Sequence, residues 1–251
     1  METKVIDYLN FNKESVCCVL RDRNGEGRIE AKRKWLQGVF EDGLVLRKSA
    51  EPGKCFMEYV PAIDAWCPVE AEDYMFINCY RAEDKLKDYA KSIWREAVSE
   101  ARIKHKKGFC VLLGKEDMPY LNHRSDFVDR GFILADTAEP YFELWYKPFP
   151  EFKDDKTVPR FADDLQEREV PYDGFVIYYS NQCPHIIKAV QKLEDIAKAE
   201  SVKLRSITPQ KAKDARLQPC VYNTFSLYYD GKFITHIPPT PSKFLKLIKS
   251  R

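Results

Sequence analysis

The sequence predicts two α/β domains in tandem: a mixed β-sheet with helices on its faces over residues 1–149, then a smaller α/β domain over 174–251. Three observations support this. A run from Pro148 to Gly174 holds Pro148, Pro150, Pro159 and Pro171 together with the charged cluster Glu151-Phe-Lys-Asp-Asp-Lys. Proline blocks helix and strand interiors, and charge keeps such a segment in water, so residues 150–173 are expected to be a linker. Before the run, short apolar stretches alternate with helical patterns; after it, the alternation starts afresh.

In the first domain, Ala31–Phe40 is expected to form a short helix with Trp35, Val39 and Phe40 apolar. Leu44–Lys48 and Lys54–Val60 are expected as strands. Tyr74–Tyr80 is nearly all aromatic or aliphatic, as a strand covered on both faces should be. Leu86, Ala90, Ile93, Ala97 and Ala101 then recur at helical spacing, with Tyr89, Trp94 and Val98 widening the stripe. Lys104-His-Lys-Lys107 and Gly108 end that helix: cations suit its C-terminal dipole and glycine stops it. Phe109–Leu113 is expected as a buried strand. A short helix near Leu121–Arg130 precedes paired strands at Gly131-Phe-Ile and Tyr141–Tyr146. Sequential connections of this kind give a mixed sheet.

In the second domain, Phe175–Tyr179 is expected as a strand. Pro184–Glu200 is a helix with Ile186, Val190, Leu193 and Ala197 on one face, and Val202–Ile207 a further strand. Phe225–Tyr229 and Lys232–Thr235 flank Asp230-Gly231, a dipeptide suited to a tight hairpin turn. Ser242 is expected to cap a last helix bearing Phe244, Leu247 and Ile248.

Composition narrows the function. The 251 residues are 44% hydrophobic and 32% charged, enough apolar material for real cores. A formal net charge of +2 gives no long-range attraction to nucleic acid or an anionic membrane. The basic run at 104–107 is read as a solvated helix end, a nucleic-acid patch being the competing reading. No apolar run nears the roughly 20 residues of a membrane span, and Met1-Glu-Thr-Lys-Val-Ile lacks the pattern of a signal peptide. A cytoplasmic protein is expected. The eight cysteines show no C-x-x-C pair, which argues against a zinc ribbon or a dithiol motif, so reduced thiols and no metal are expected.

Residues Lys34-Trp-Leu-Gln-Gly-Val-Phe, Met57-Glu-Tyr-Val-Pro, Ala65-Trp66, Glu70-Ala-Glu-Asp-Tyr-Met-Phe-Ile-Asn-Cys79, Arg130-Gly-Phe-Ile and Pro140-Tyr-Phe-Glu-Leu144 follow one another in an order that resembles the GNAT N-acetyltransferases. The resemblance is to the bacterial group carrying a C-terminal YoaP-like domain. It implies acetyl-CoA as co-substrate and an amine of unidentified nature as acceptor. It also implies that the loop and helix start after Tyr74–Tyr80 hold the pyrophosphate on backbone amides, at Lys85, Lys87, Asp88, Tyr89 and Ala90. Independently of family, a helix start offers unpaired N–H groups and a positive dipole end. The loop departs from the family pattern at Asp88, where glycine would let the backbone approach closely. From Arg81 to Lys91, four cations stand against three anions.

Acetyl transfer needs a neutral amine, and an alkylamine of pKa about 10 is mostly protonated at neutral pH. Glu58, between Met57 and Tyr59, is the first candidate base and Asp64 the second; an ordinary strand carboxylate facing solvent is the competing reading. Tyr141 is the candidate acid for the leaving thiolate, with a core aromatic as the alternative. Asn78, Cys79 and Tyr80 end the strand that would supply an N–H to the developing oxyanion. His123 reads as a surface residue.

Phe175–Arg251 resembles the thioredoxin-like fold. Cys183, Pro184, His185 and Ile186 stand where its dithiol would be, so the second cysteine is missing. A helix start and a histidine lower a thiol pKa, which leaves a monothiol redox or sensing role centred on Cys183 as an alternative function. A non-catalytic binding protein on a decayed acetyltransferase scaffold is another.

Overall fold

The structure, a computed structural model, describes residues 1–19 and 27–251. Its elements are β1 (Thr3–Ile6), α1 (Arg28–Val39), β2 (Val45–Ser49), β3 (Cys55–Pro61), β4 (Val69–Glu70), β5 (Tyr74–Ala82), α2 (Lys87–Ile103), β6 (Gly108–Gly114), α3 (Ser125–Val128), β7 (Ile133–Ala138) and β8 (Phe142–Pro148). There follow β9 (Arg160–Phe161), β10 (Phe175–Tyr179), α4 (Ile186–Ala199), β11 (Leu204–Ile207), α5 (Ala212–Arg216), β12 (Phe225–Tyr229), β13 (Lys232–Thr235) and α6 (Pro241–Lys249).

The first sheet has seven strands in the order β1-β2-β3-β5-β6-β8-β7. All neighbours are antiparallel except β5 and β6. α2 is the crossover that a parallel pair requires. Its stripe of Ala90, Ile93, Ala97 and Ala101 is buried on one face of the sheet with Tyr59, Ile77 and Phe109. α1 covers the other face through Trp35, Leu36 and Val39. Mixed sheet and flanking helices are as the sequence led us to expect.

The second sheet runs β11-β10-β12-β13, with β10 parallel to β11 and antiparallel to β12. Asp230 and Gly231 both adopt positive φ, 45° and 77°, as the hairpin between β12 and β13 demands.

Several local expectations need correction. The helix expected near Leu121–Arg130 shrinks to Ser125–Val128, because Tyr120 (φ 70°) and Gly131 (φ 79°) break the chain on either side. Thr240, not Ser242, caps α6: Pro241 occupies the first helical position, so the residue before it becomes the cap and accepts from the Lys243 amide at 3.4 Å. The proline-rich segment is not wholly solvated. Its β9 pairs with β4, and Phe161 and Leu165 are buried in the same core as Trp35 and Trp66.

The two sheets are joined by more than this segment. Ala212, Ala215 and Val221 lie in the first domain's core cluster. The Asn223 side chain donates to the Trp66 carbonyl at 3.2 Å, and Arg216 to that of Ala62 at 2.9 Å.

Candidate functional site

β5 and β6 pair only from Tyr74–Ile77 to Gly108–Val111. β5 then runs on to Ala82 and β6 to Gly114 without further pairing between them, so the parallel strands part at their C-terminal ends. On the other edge of β5, the register against β3 shifts between Glu58 and Tyr59: Glu58 faces Cys79 while Tyr59 faces Ile77, leaving Asn78 as the bulged residue. The gap is bridged by a side chain. Asn122 accepts from the Tyr80 N–H at 2.8 Å and donates to the Asn78 carbonyl at 3.4 Å, pairing with β5 as a neighbouring strand would.

A cavity of about 320 Å³ lies beside this gap, between α1, β3, β5 and the second domain. Strand alternation builds one wall: Phe56 and Glu58 on β3, with Lys54 just before it, and Cys79 and Arg81 on β5, all point the same way. Glu58 is 1% exposed. Its Oε2 lies 2.5 Å from the Lys32 ammonium, and its Oε1 accepts only a long 3.3 Å bond from Asn78 Nδ2. Lys32 is itself 2% exposed and sits 4.2 Å from the Trp35 ring centre. A buried ion pair of this kind survives because each charge compensates the other and hydrogen bonds use the remaining atoms.

The part of the chain that holds the four-stranded sheet supplies the opposite wall, through Gln182–His185, Tyr222 and Thr224. Glu58 and Cys183, read from sequence as centres of separate functions, therefore line the same cavity. His185 Nε2 is 3.5 Å from Cys18 Sγ. Burial, with Arg28 and Lys54 adding to it, pushes the His185 pKa below its ordinary value, which favours the neutral ring. The acidic thiol that the alternative role of Cys183 requires is disfavoured: burial pushes its pKa up to about 12, outweighing the backbone hydrogen bond at His185. Cys79 is likewise pushed up to about 12 by burial.

Tyr141 does not line the cavity. Its hydroxyl is 2.7 Å from His236 Nδ1, while His236 Nε2 is 3.0 Å from the Pro119 carbonyl. A carbonyl only accepts, so Nε2 carries the ring proton and Nδ1 takes the phenol's. The Tyr141 proton is thus spent on a buried contact between the domains. Asp64 is half-buried in a 3-10 turn outside the cavity lining, and His123 is exposed. The Tyr80 amide is engaged by Asn122, and the Tyr80 ring lies in the core on the α2 side.

The start of α2 has no side-chain cap. Asp88 is exposed and pairs with Lys91 at 2.8 Å, so its carboxylate is drawn along the helix surface. Lys85 pairs with Glu83 at 3.3 Å, Lys87 is exposed, Tyr89 is half-buried, and Ala90 is buried against the sheet. A hollow of about 300 Å³ opens between Arg81 and residues 117–123. A wider hollow, about 830 Å³, lies along α2 beside Phe132 and Phe149; among the described residues, no carboxylate, thiol or imidazole lines it. Among the described residues, no cluster of His, Cys, Asp or Glu is arranged to hold a metal ion, and no helix is long and apolar enough to cross a membrane.

Comparison with known proteins assigns the family. Residues 204–246 match the YoaP-like family model. The uncharacterized N-acetyltransferase YoaP of Bacillus subtilis (strain 168) is 30% identical over 243 residues, covering 96% of both chains. The chain belongs to the family of the N-acetyltransferase YoaP. Among solved structures, the GNAT family N-acetyltransferase YhbS of Escherichia coli in complex with CoA is 12% identical, with 66% of this chain and 92% of that one covered at a TM-score of 0.41. The PaiA N-acetyltransferase of Thermoplasma acidophilum in complex with coenzyme A is 13% identical, with 59% and 100% covered and a TM-score of 0.39.

Lys32, Cys18 and Asn122 escaped the reading of the sequence. For Lys32 a signal existed: with Trp35, Leu36 and Val39 it falls on the buried stripe of α1, where an unpaired lysine would be costly. Cys18 and Asn122 sit in irregular chain and carried none.

Proposed function

We propose that this YoaP-group protein is an acetyl-CoA-dependent N-acetyltransferase that moves the acetyl group directly to an amine, with Glu58 as general base. The observation that carries the reading is a carboxylate 1% exposed, lining a cavity beside the gap between β5 and β6, with one oxygen not spent on its lysine partner. Acetyl-CoA supplies an activated acyl thioester. The residues present suit it. The Asn122 carboxamide already fills the place of an amide against β5, so Asn78 C=O and Tyr80 N–H would hold the amide-bearing pantetheine arm. The first-turn amides of α2 beyond Lys87, whose own N–H is bonded to the Asp84 carbonyl, would hold the pyrophosphate with Lys85 and Lys87 nearby. Glu58 Oε1 would take one proton of the entering ammonium while Lys32 holds Oε2 and fixes the carboxylate's orientation; the neutral amine would form its N–C bond to the acetyl carbonyl as the C–S bond breaks, a second nitrogen proton leaving with the thiolate as CoA thiol. Position in a walled cavity adds to that proton transfer by keeping the amine aligned.

The smaller domain is read as thioredoxin-like, from its order β11-β10-β12-β13 and its strand-to-helix junction at Cys183. Its role here is to wall the acceptor cavity. The raised Cys183 pKa disfavours the monothiol alternative.

Acetyl-CoA at millimolar concentration should raise the thermal midpoint of the protein, and Lys85→Glu with Lys87→Glu should abolish that shift. Glu58→Gln should lower transfer to any accepted amine by about 10²–10⁴-fold. No midpoint shift with acetyl-CoA, or full transfer by a folded Glu58→Gln protein, would overturn the reading.

A further inference from the structure

The cavity beside Glu58 is unbalanced in charge. Among the described residues, Lys32, Lys54 and Arg81 line it with a single carboxylate, Glu58. Lys32 is neutralised by that carboxylate at 2.5 Å. Among the described residues, Arg81 donates to main-chain carbonyls alone, of Tyr80 at 2.9 Å and of Leu121 at 3.2 Å, which orient the guanidinium without discharging it. Among the described residues, neither Arg81 nor Lys54 meets a carboxylate within ion-pair distance. Two cations therefore face a partly enclosed space where their attraction for an anion is less screened than at an open surface. The His185 ring on the opposite wall responds to the same field, since Lys54 is among the charges that lower its pKa.

The register of the sheet sets the spacing. Phe56 pairs with Arg81 and Glu58 with Cys79, so Arg81 stands two residues along the strand from the base, and Lys54 two further on. Two residues of strand advance roughly 7 Å. A volume of about 320 Å³ lies at the small end of the range for ligand pockets.

We propose that the acceptor is a small amine carrying its own acidic oxyanion, a carboxylate or a phosphate, held by Arg81 and Lys54 while its amino group faces Glu58. This rests on the transferase reading above and names its substrate class. The strand spacing favours an amine and an acid separated by about two to four carbons over the single carbon of an α-amino acid. Charge-assisted bonds to guanidinium and ammonium make the anion a condition of binding, as distinct from steering at long range.

The test uses the full chain with acetyl-CoA and matched pairs of amines: γ-aminobutyrate against its amide, and O-phosphoethanolamine against ethanolamine. Each acidic amine should exceed its neutral partner in kcat/KM by at least about tenfold, the worth of one hydrogen bond to a charged group. Glycine should lag behind γ-aminobutyrate. Lys54→Gln and Arg81→Gln should each pull the acidic-to-neutral ratio toward one, chiefly through KM. Whichever acid dominates identifies the oxyanion. Neutral amines performing as well as acidic ones, or no acidic amine being accepted by a protein that does bind acetyl-CoA, would overturn the proposal. A second readout does not depend on transfer: γ-aminobutyrate should raise the pKa of the imidazole resonance that disappears in His185→Gln, and butylamine should not. An unmoved imidazole with saturating γ-aminobutyrate counts against the proposal even if transfer fails for other reasons, whereas loss of acetyl-CoA binding alone counts against the transferase reading.

Discussion

Glu58 couples stability to the proposed chemistry in one residue. Removing its charge strands the Lys32 ammonium in a place that is 2% exposed, and breaking a buried pair on one side typically costs about 3–5 kcal/mol. Glu58→Gln should therefore lower both the unfolding free energy and transfer. The double variant Lys32→Met with Glu58→Gln removes both charges and should recover much of the stability in a denaturant titration, yet no transfer. Recovery of transfer would show the carboxylate to be structural only. Asn122 offers a second test. Its carboxamide bridges Asn78 and Tyr80, so Asn122→Ala should strengthen acetyl-CoA binding by roughly three- to ten-fold, a competing hydrogen bond having been removed. Weaker binding would mean that Asn122 itself belongs to the site. Glu58 was legible in the sequence as a carboxylate on an apolar strand. Asn122 was not, because it depends on a contact between residues 42 to 44 positions apart in an irregular segment.

At the scale of elements, periodicity did most of the work. The apolar stripe of α2 and the two-sided burial of Tyr74–Ile77 and of β6 follow directly from residue spacing. Short pieces were harder: β1, β4, β9 and α5 hold only two to five residues each, and their existence depends on partners elsewhere in the chain. α2 carries its own prediction. Asp88 stands in its first turn, where a negative charge satisfies the dipole but competes with an incoming phosphate. Asp88→Asn should tighten acetyl-CoA by roughly two- to five-fold in a binding titration. An unchanged affinity would place the pyrophosphate elsewhere.

At the scale of the molecule, the proline-rich boundary carried no sign that the seven-stranded and four-stranded sheets share a core and a cavity, since that depends on docking between non-sequential elements. The docking has an acid-sensitive component. Burial lowers the pKa of both His185 and His236 below the ordinary 6.5. As pH falls through about 6.5, the unfolded chain takes up protons at both positions before the folded chain does. Their contribution to stability is thus complete above that pH and diminishes below it. Unfolding free energy should decline between pH 7 and 5.5, and His236→Gln should make the decline shallower. A flat profile over that interval would contradict the buried, neutral state of these rings.

The divergence of β5 from β6 carries one more consequence. Once Asn122 withdraws, two main-chain groups are left asking for a donor and an acceptor at a fixed separation. A thioester whose arm repeats that peptide-like pattern can answer both; a short synthetic one cannot, and would leave polar backbone stranded. The sheet should therefore discriminate among acyl donors by the tail they trail behind the sulfur, before the acyl group itself is ever inspected.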